Sequence, residues 1–181
     1  NDFIRADWRK RQIERQLGHR TTTKDLIESF GVPHTEVDLI LVNGVSVDFA
    51  HRVDDGDIIS VYPVFESFDI SEVTRLQERP LRDLRFIADC HLGKLAGKMR
   101  LLGFDVEYRN DVDDDELATA VVNDKRVLLS RDRRLLMRKI IDRGYLVRSQ
   151  SPEEQVSEVI RRFDLTRQLR PFTRCARCNG I

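Results

Sequence analysis

The sequence is poor in the features that mark membrane and secreted proteins. Three cysteines among 181 residues are too few for a disulfide framework, which favours a reducing cytoplasm over secretion. No run approaches the roughly 18 apolar residues that a membrane helix requires, so we expect no membrane span. The chain begins at Asn1 without a basic and then apolar leader, and we therefore expect no secretory signal.

An excess of charge of one sign is also lacking, since 31 Lys and Arg residues balance 31 Asp and Glu residues. The distribution is nevertheless uneven. Residues 64–124 carry 14 acidic and 8 basic side chains, whereas residues 125–181 carry 6 acidic and 15 basic ones. Carboxylates that hold cations beside arginines that hold phosphates suit a metal-dependent nuclease. A solvated helical surface rich in arginine explains the asymmetry equally well.

The first third of the chain reads as a small α+β unit over residues 1–65. A helix is predicted over 24–30, with Gly31 directly after it as the C′ residue. Asn43 and Gly44 form the dipeptide that most strongly predicts a tight hairpin between two strands. The predicted strands are 37–42, 45–47 and 58–62.

This unit resembles the ubiquitin-like β-grasp fold, both in its hairpin and in the segment 55–63. Sulfur-carrier proteins of that fold end in Gly-Gly directly after the last strand. Here Val64 follows and the chain continues, so we reject sulfur transfer. We expect the first strand to be incomplete, because residues 1–20 offer little apolar alternation. The polar residues 66–83 are interpreted as a linker.

Residues 84–170 read as repeated β-α units. The predicted strands are 84–89, 104–108, 126–130 and 145–149, and the predicted helices are 92–102, 114–123 and 133–143. Gly103 and Gly144 each follow a helix in the position of a C′ residue. Ser151 caps a last helix, with Pro152 at its first position. Right-handed crossovers then give a Rossmann-like parallel sheet with helices on both faces.

An acidic residue follows each of three strands predicted for this sheet. Asp89 ends the first strand, the run 111–116 follows the second, and Asp132 follows the third. Because the carboxyl ends of parallel strands meet at one edge, we expect these carboxylates to converge there. Helix capping explains each acid singly, but three such positions in successive units favour a function. The predicted catalytic residues are Asp89, Asp114, Asp115 and Asp132, with Glu116 less favoured.

Clustered carboxylates with open coordination suit Mg²⁺ or Mn²⁺. We expect Asp89, Asp115 and Asp132 to hold one or two such ions, which would activate a water and stabilise the leaving oxygen of a phosphodiester. Basic side chains beside these acids are candidates for binding substrate phosphates, although an exposed helix charge explains each one singly. They are Lys94, Lys98, Arg100, Arg131, Arg133 and Arg134.

Cys175 and Cys178 form a C-x-x-C pair of the kind that supplies half of a structural zinc site. Such a site takes four ligands, usually from two pairs, and the sequence reaches Ile181 without the second pair. A truncated zinc ribbon over 171–181, ligands from another chain, and free cysteines all agree with the sequence. We favour truncation, and we expect Zn²⁺ to bind only where the ribbon is completed.

As a set, these motifs resemble the Mut-seven C-terminal ribonuclease domain, which has a PIN-like fold. The resemblance lies in Phe86 to Asp89, Leu92 to Ala96, Met99 to Asp105, Asp114 to Leu117, Leu128 to Leu135, and Arg174 to Gly180. In that family a ubiquitin-like β-grasp domain often precedes the nuclease, and Gly31 to Val37 resembles its signature. The two resemblances cover nearly the whole chain.

The resemblance implies a metal-dependent ribonuclease that acts on single-stranded RNA, with Asp89, an acid at 114–116 and Asp132 as ligands. It implies that the β-grasp domain recruits a protein partner or places the substrate. The sequence departs from the family pattern at Cys90 and His91, where basic and large apolar residues are usual. The rival interpretation is a non-catalytic RNA- or ribosome-binding protein that uses its basic C-terminal third.

Overall fold

The computed structural model describes residues 3–4, 8, 11–63, 74, 76, 84–111 and 113–181. The chain divides into two compact units, residues 1–80 and residues 81–181, and each unit has a hydrophobic core of its own. Within the described ranges, no helix is both long enough and apolar enough to cross a membrane.

The first unit combines one helix with an antiparallel sheet. Its elements are helix α1 (Thr23–Ser29), a 3-10 turn (His34–Glu36) and strands β1 (Val37–Val42), β2 (Val45–Val47) and β3 (Ile59–Pro63). The strands lie in the order β2-β1-β3. Both the predicted helix and the predicted strands are confirmed, and the arrangement agrees with a β-grasp fold. Strand β3 includes Pro63, which a strand tolerates at its end or at the edge of a sheet.

Asn43 and Gly44 turn the chain between β1 and β2. Both adopt left-handed backbone angles, with φ of 51° and 83°, and two residues of this hand match the twist of paired strands. The Asn43 side chain donates to Asp57 at 2.7 Å and accepts from the Ile58 N–H at 2.9 Å. The hairpin is therefore fastened to the residues that lead into β3.

The core of the first unit lies between α1 and the sheet. Its buried members are Ile27, Val37, Ile40, Val42 and Val47. Leu76 packs against this core, although it falls within the stretch 66–83 that was interpreted as a linker. Most of that stretch lies outside the described residues.

The second unit is a parallel sheet interleaved with helices. Its strands are β4 (Phe86–Ala88), β5 (Val106–Tyr108), β6 (Val127–Ser130) and β7 (Gly144–Leu146). Its helices are α2 (Gly93–Leu101), α3 (Asp114–Asn123), α4 (Arg133–Leu136) and α5 (Pro152–Arg162), with 3-10 turns at Cys90–Leu92 and Leu165–Gln168. All four strands are parallel, in the order β5-β4-β6-β7. The predicted parallel sheet is confirmed.

Strands β4 and β6 occupy the middle of this sheet. Every residue of both strands is buried, and such continuous apolar runs are typical of parallel strands covered on both faces. Leu95 and Met99 lie one turn apart on α2 and are fully buried in the same core as Phe86. The core thus fixes α2 against the two strands that carry the candidate site.

Two predictions for the last part of this sheet are wrong. Helix α4 stops at Leu136, where a helix over 133–143 was expected. Ile141 is fully buried and β-branched, so its place in the core overrides the helical pattern. Gly144 is the first residue of β7 and lacks the positive φ of a C′ residue. A β carbon at Gly144 would lie 2.5 Å from the Leu136 side chain. Gly103 does take the left-handed conformation of a C′ residue, with φ of 96°.

Candidate active site

The order of the strands decides where a ligand can enter the second unit. After β4 the chain moves to β5 on one side and then crosses back to β6 on the other side. The connections after β4 and β6 therefore diverge, and a crevice opens at the carboxyl ends of these strands. Asp89 directly follows β4 and Ser130 ends β6, so both residues lie at this switch point.

Asp89 is a buried carboxylate, with only 4% of its surface exposed. Its Oδ1 accepts a hydrogen bond of 2.9 Å from the backbone N–H of His91. Its Oδ2 accepts one from the Ser130 hydroxyl and another, at 3.1 Å, from the backbone N–H of Arg131. A buried charge requires such donors, and here they come from both sides of the switch point.

Ser130 joins two of the predicted acids. Its buried hydroxyl donates to Asp89 and accepts a bond of 2.8 Å from the backbone N–H of Asp132. Asp132 is exposed and caps α4, with its Oδ1 accepting from the N–H of Arg134 at 2.7 Å. In the described part of the chain, the second carboxylate oxygen of Asp132 has no hydrogen-bond partner. The structure therefore brings Asp89 and Asp132 together around one serine.

The acids that follow β5 line an open cleft. Asp113 caps α3, because its Oδ1 accepts bonds of 2.9 and 2.8 Å from the N–H groups of Asp115 and Glu116. Asp115 forms an ion pair with Arg138. The residues that line the cleft are Asp113, Asp114, Asp115, Arg134, Leu135 and Arg138. The cleft thus separates the start of α3 from α4, the helix that Asp132 caps.

The expected pocket of three carboxylates is not preformed. Among the described residues, no three acidic, histidine or cysteine side chains form a group that would hold a metal ion. Helix capping, the alternative explanation for each acid, applies to Asp89, Asp113 and Asp132. The pair Asp89 and Asp132 nevertheless fits Mg²⁺ in its chemistry, because this ion commonly keeps several waters and binds through one or two carboxylates and substrate phosphates.

The basic side chains predicted to bind phosphates differ in their accessibility. The exposed ones at the carboxyl edge of the sheet are Lys94, Arg131, Arg133 and Arg134. Lys98 is partly exposed and forms an ion pair of 2.9 Å with Glu153. Such surface pairs contribute little to stability, so Lys98 can exchange Glu153 for a phosphate at small cost.

The prediction that Arg100 binds substrate is wrong. Arg100 is buried, and its Nε donates to the Val106 carbonyl at 2.8 Å. Its Nη1 donates to the carbonyls of Ala176 at 3.2 Å and Arg177 at 2.9 Å. Burial lowers the pKa of this guanidinium below its ordinary value. Arg100 therefore fastens the C-terminal segment to α2 and β5.

Cys175 and Cys178 lie at the surface in a loop that closes on itself. The N–H of Cys175 donates to the Gly180 carbonyl at 2.8 Å, and the N–H of Asn179 donates to the Cys175 carbonyl at 3.0 Å. Hydrogen bonds from the backbone N–H groups of Cys178 and Arg177 lower the pKa of the Cys175 thiol. This favours the thiolate that zinc binds, but two thiols make half of such a site, and zinc stays a prediction.

Two family models match the chain. The model described as the Mut7-C RNAse domain matches residues 84–181, which are more than half of the chain, and the model described as Mut7-C ubiquitin matches residues 1–69. The chain belongs to the Mut7-C RNAse domain family. The resemblance stated from the motifs is thereby confirmed, as is the order of the two domains. Neither the curated proteins nor the solved structures give a match to this chain.

The region matched as the Mut7-C RNAse domain contains the whole parallel sheet and the two residues that Ser130 connects, Asp89 and Asp132. Family membership therefore supports a nuclease-type function for this part of the chain. The Mut7-C ubiquitin region contains the antiparallel sheet of the first unit. The geometry places the candidate chemistry in the second unit.

Sequence reasoning missed two residues of the cleft in the Mut7-C RNAse domain. Asp113 is one of several acidic residues in the run 111–116. Which of them caps the helix depends on the residue at which the helix begins, and sequence patterns locate that residue only to within one or two positions. Arg138 lies after the end of α4 at Leu136, and its partner Asp115 is 23 residues away along the chain. No local spacing therefore points to Arg138.

Proposed function

We propose that this chain is a ribonuclease that hydrolyses RNA phosphodiester bonds with Mg²⁺ or Mn²⁺ bound at Asp89 and Asp132. The observation that carries the proposal is that the buried Ser130 hydroxyl links the Asp89 carboxylate to the backbone of Asp132, at the switch point of a parallel sheet. Membership of the Mut7-C RNAse domain family supports the reaction class. The bound ion would lower the pKa of a water and stabilise the leaving oxygen.

The two carboxylates have different tasks in this proposal. Asp89 is held by three donors and is buried, so it offers a fixed oxygen at the base of the crevice. Asp132 is exposed and keeps an oxygen without a partner among the described residues, so it can adjust to a hydrated ion and an incoming phosphate. Ser130 sets the relative position of both.

The cleft beside Asp132 is the path we assign to the RNA backbone. Arg134 and Arg138 lie on one side of it and Asp115 on the other. An exposed ion pair such as Arg138 with Asp115 is worth little, so a phosphate can displace Asp115 from Arg138. Asp115 would then be free to bind the metal ion as a third carboxylate beside Asp89 and Asp132. The group of three acids would therefore form only when substrate binds.

The test is the cleavage of a labelled single-stranded RNA by wild type and by Asp132→Asn at fixed Mn²⁺. We expect the variant to lose at least about 100-fold in rate, because loss of a ligand costs no less than loss of the groups that orient it. Asp132→Asn is preferred to Asp89→Asn because Asp132 is exposed. Replacing the buried Asp89 by an amide would also disturb its hydrogen bonds.

Asp142→Asn is the matched control, since Asp142 is a 70% exposed aspartate at the opposite edge of the same sheet. It should cleave RNA at the wild-type rate. EDTA should abolish the activity of both wild type and control. Cleavage that resists EDTA, or an Asp132→Asn protein as active as wild type, contradicts the proposal.

A second candidate function is a non-catalytic RNA- or ribosome-binding protein. Two observations favour it: the carboxylates serve as helix caps, and residues 125–181 carry 15 basic against 6 acidic side chains. Under this alternative RNA is bound without cleavage, and Asp132→Asn changes nothing. The charge reversals that would weaken binding are at Arg133, Arg134, Arg161 and Arg162.

A further inference from the structure

We propose that Phe172 and the arginines around it form a stacking platform that holds single-stranded RNA at a distance from the cleaved bond. This inference rests on the proposed function, because it assigns a second contact for the same substrate. Phe172 is 85% exposed, which is more than any other aromatic side chain among the described residues. A single exposed apolar residue is common on protein surfaces, so the argument depends on how Phe172 is held and on what surrounds it.

An ordered loop presents the Phe172 ring. The N–H of Arg170 donates to the Leu102 carbonyl at 2.9 Å, and the N–H of Phe172 donates to the Leu101 carbonyl at 2.8 Å. The Thr173 hydroxyl closes the loop by donating to the Arg170 carbonyl at 2.7 Å. These bonds use the carbonyls at the end of α2, so the loop completes a helix terminus and is fixed to the domain.

The backbone takes an uncommon conformation to expose this ring. Phe172 has φ of 64°, in the left-handed region that bulky residues rarely adopt. At Gly103, a β carbon would lie 2.3 Å from the Arg170 carbonyl, so glycine is needed for the loop to approach α2. The loop therefore packs tightly against the domain while its single large apolar side chain points to solvent.

The segment of the chain that contains Phe172 is basic. Residues 165–181 contain four arginines and no aspartate, glutamate or lysine. Arg167, Arg170 and Arg177 are exposed, and none of them forms an ion pair in the described part of the chain. Arginines that hold phosphates beside an exposed ring on which a base stacks are the chemistry of single-strand binding. The positive charge of this segment therefore favours RNA as the binding partner. The exposed flat ring favours single-stranded RNA, because its bases are free to stack on the ring.

Helix α2 connects the platform with the candidate active site. The helix begins just after Asp89, and its nine residues span about 14 Å to the carbonyls that hold the Phe172 loop. Lys94 and Lys98 lie four residues apart on one face of α2, and both are at least partly exposed. A single strand cut at the carboxyl edge of the sheet can therefore follow this face to Phe172.

The experiment measures the affinity of the full chain for a labelled, unstructured RNA by fluorescence anisotropy, with EDTA present so that no cleavage occurs. Phe172→Ala should weaken binding by about 5- to 100-fold, the usual loss for a base-stacking ring. Phe172→Trp should bind at least as well as wild type, whereas Phe172→Leu should bind as weakly as Phe172→Ala. Val122→Ala, which shortens another exposed apolar side chain of the same unit, should change nothing.

A duplex of the same sequence provides the second measurement, because its bases are already stacked on one another. Phe172→Ala should leave duplex affinity unchanged, and a thermal unfolding midpoint equal to that of wild type shows that the fold is kept. The platform is overturned if Phe172→Ala binds single strands like wild type, if Phe172→Leu binds like Phe172→Trp, or if duplex binding falls equally. None of these results contradicts the proposed ribonuclease activity, because Asp132→Asn tests that activity separately. A wild-type chain that binds no single-stranded RNA in EDTA also overturns the platform, whereas the ribonuclease is tested by the cleavage assay with Mn²⁺.

Discussion

At the scale of single residues, the Ser130 hydroxyl is the group that connects the Asp89 carboxylate with the backbone of Asp132. It is fully buried, donates to Asp89 and accepts from the backbone of Asp132. A serine at the end of a buried strand has no packing advantage over alanine. Its polar contacts are therefore the physical reason for a hydroxyl at this position.

Ser130→Ala removes one donor from the buried Asp89 carboxylate and one acceptor from the Asp132 N–H. We expect the free energy of unfolding to fall by about 1–3 kcal/mol, because both partners lose a bond that water replaces poorly. RNA cleavage should fall together with stability. Urea unfolding and cleavage rates measure the two effects.

Ser130→Thr is the control for this change because it keeps the hydroxyl. It should retain more activity than Ser130→Ala even where the added methyl group costs some stability in a packed site. If Ser130→Ala keeps wild-type cleavage, the link between the Asp89 carboxylate and the Asp132 backbone has no part in the reaction.

The candidate site was predictable from the sequence only in part, and the residues show why. Asp89 and Asp132 were found because a strand end followed by an acid is a local pattern. Their connection was not, because Ser130 and Asp89 are 41 residues apart and meet only through the register of β4 and β6. Arg100 was misread because its partners lie 76 and 77 residues away along the chain.

At the scale of secondary-structure elements, Asp105 holds three segments together at the amino end of the sheet. Its Oδ1 accepts from Arg126, which precedes β6, at 2.7 Å and from the Asn179 side chain at 2.8 Å. Burial alone would raise the pKa of Asp105, but the hydrogen bonds from Arg126 and Asn179 outweigh burial and lower it below the ordinary 3.8. The carboxylate is therefore stabilised by the folded chain.

A lowered pKa fixes the direction of the pH dependence. The stability that Asp105 contributes is present in full above its unfolded pKa and is lost as pH falls through its folded pKa. We expect Asp105→Asn to be less stable than wild type at neutral pH, and the difference to shrink between about pH 5 and about pH 3. Urea unfolding of both proteins across this range measures it. A difference that does not vary with pH would show that the Asp105 charge is not what matters.

The bounds of some helices and strands were predicted correctly and those of others were not, and packing accounts for the difference. Helix α3 has the predicted bounds because its acidic first turn and apolar stripe agree with each other. Helix α4 is shorter than predicted because Ile141 is drawn into the core, which no local pattern reveals. The strands of the parallel sheet are each shorter than predicted, and β5 and β6 are shortened only at their amino ends.

At the scale of the whole molecule, the described residues of each unit form a hydrophobic core of their own. The candidate chemistry lies in the second unit, and the described residues of the first unit contain no group that would hold a metal. Separate cores allow each unit to unfold without the other. Destabilising one core at a time can therefore test whether RNA cleavage depends on the nuclease-type domain, on the β-grasp domain or on both.

Ile40 is fully buried in the first core, and Ile40→Ala should cost that unit about 2–5 kcal/mol. We expect amide hydrogen exchange to accelerate over residues 22–63 and to stay unchanged over residues 84–181, with RNA cleavage retained. Leu128→Ala, in the middle of the parallel sheet, should do the reverse and reduce cleavage. Val45→Ala, at an exposed position of the first unit, is the control and should alter neither region. Faster exchange in both regions after Ile40→Ala would mean that the two cores unfold as one cooperative structure, and the first unit would then contribute to catalysis through stability.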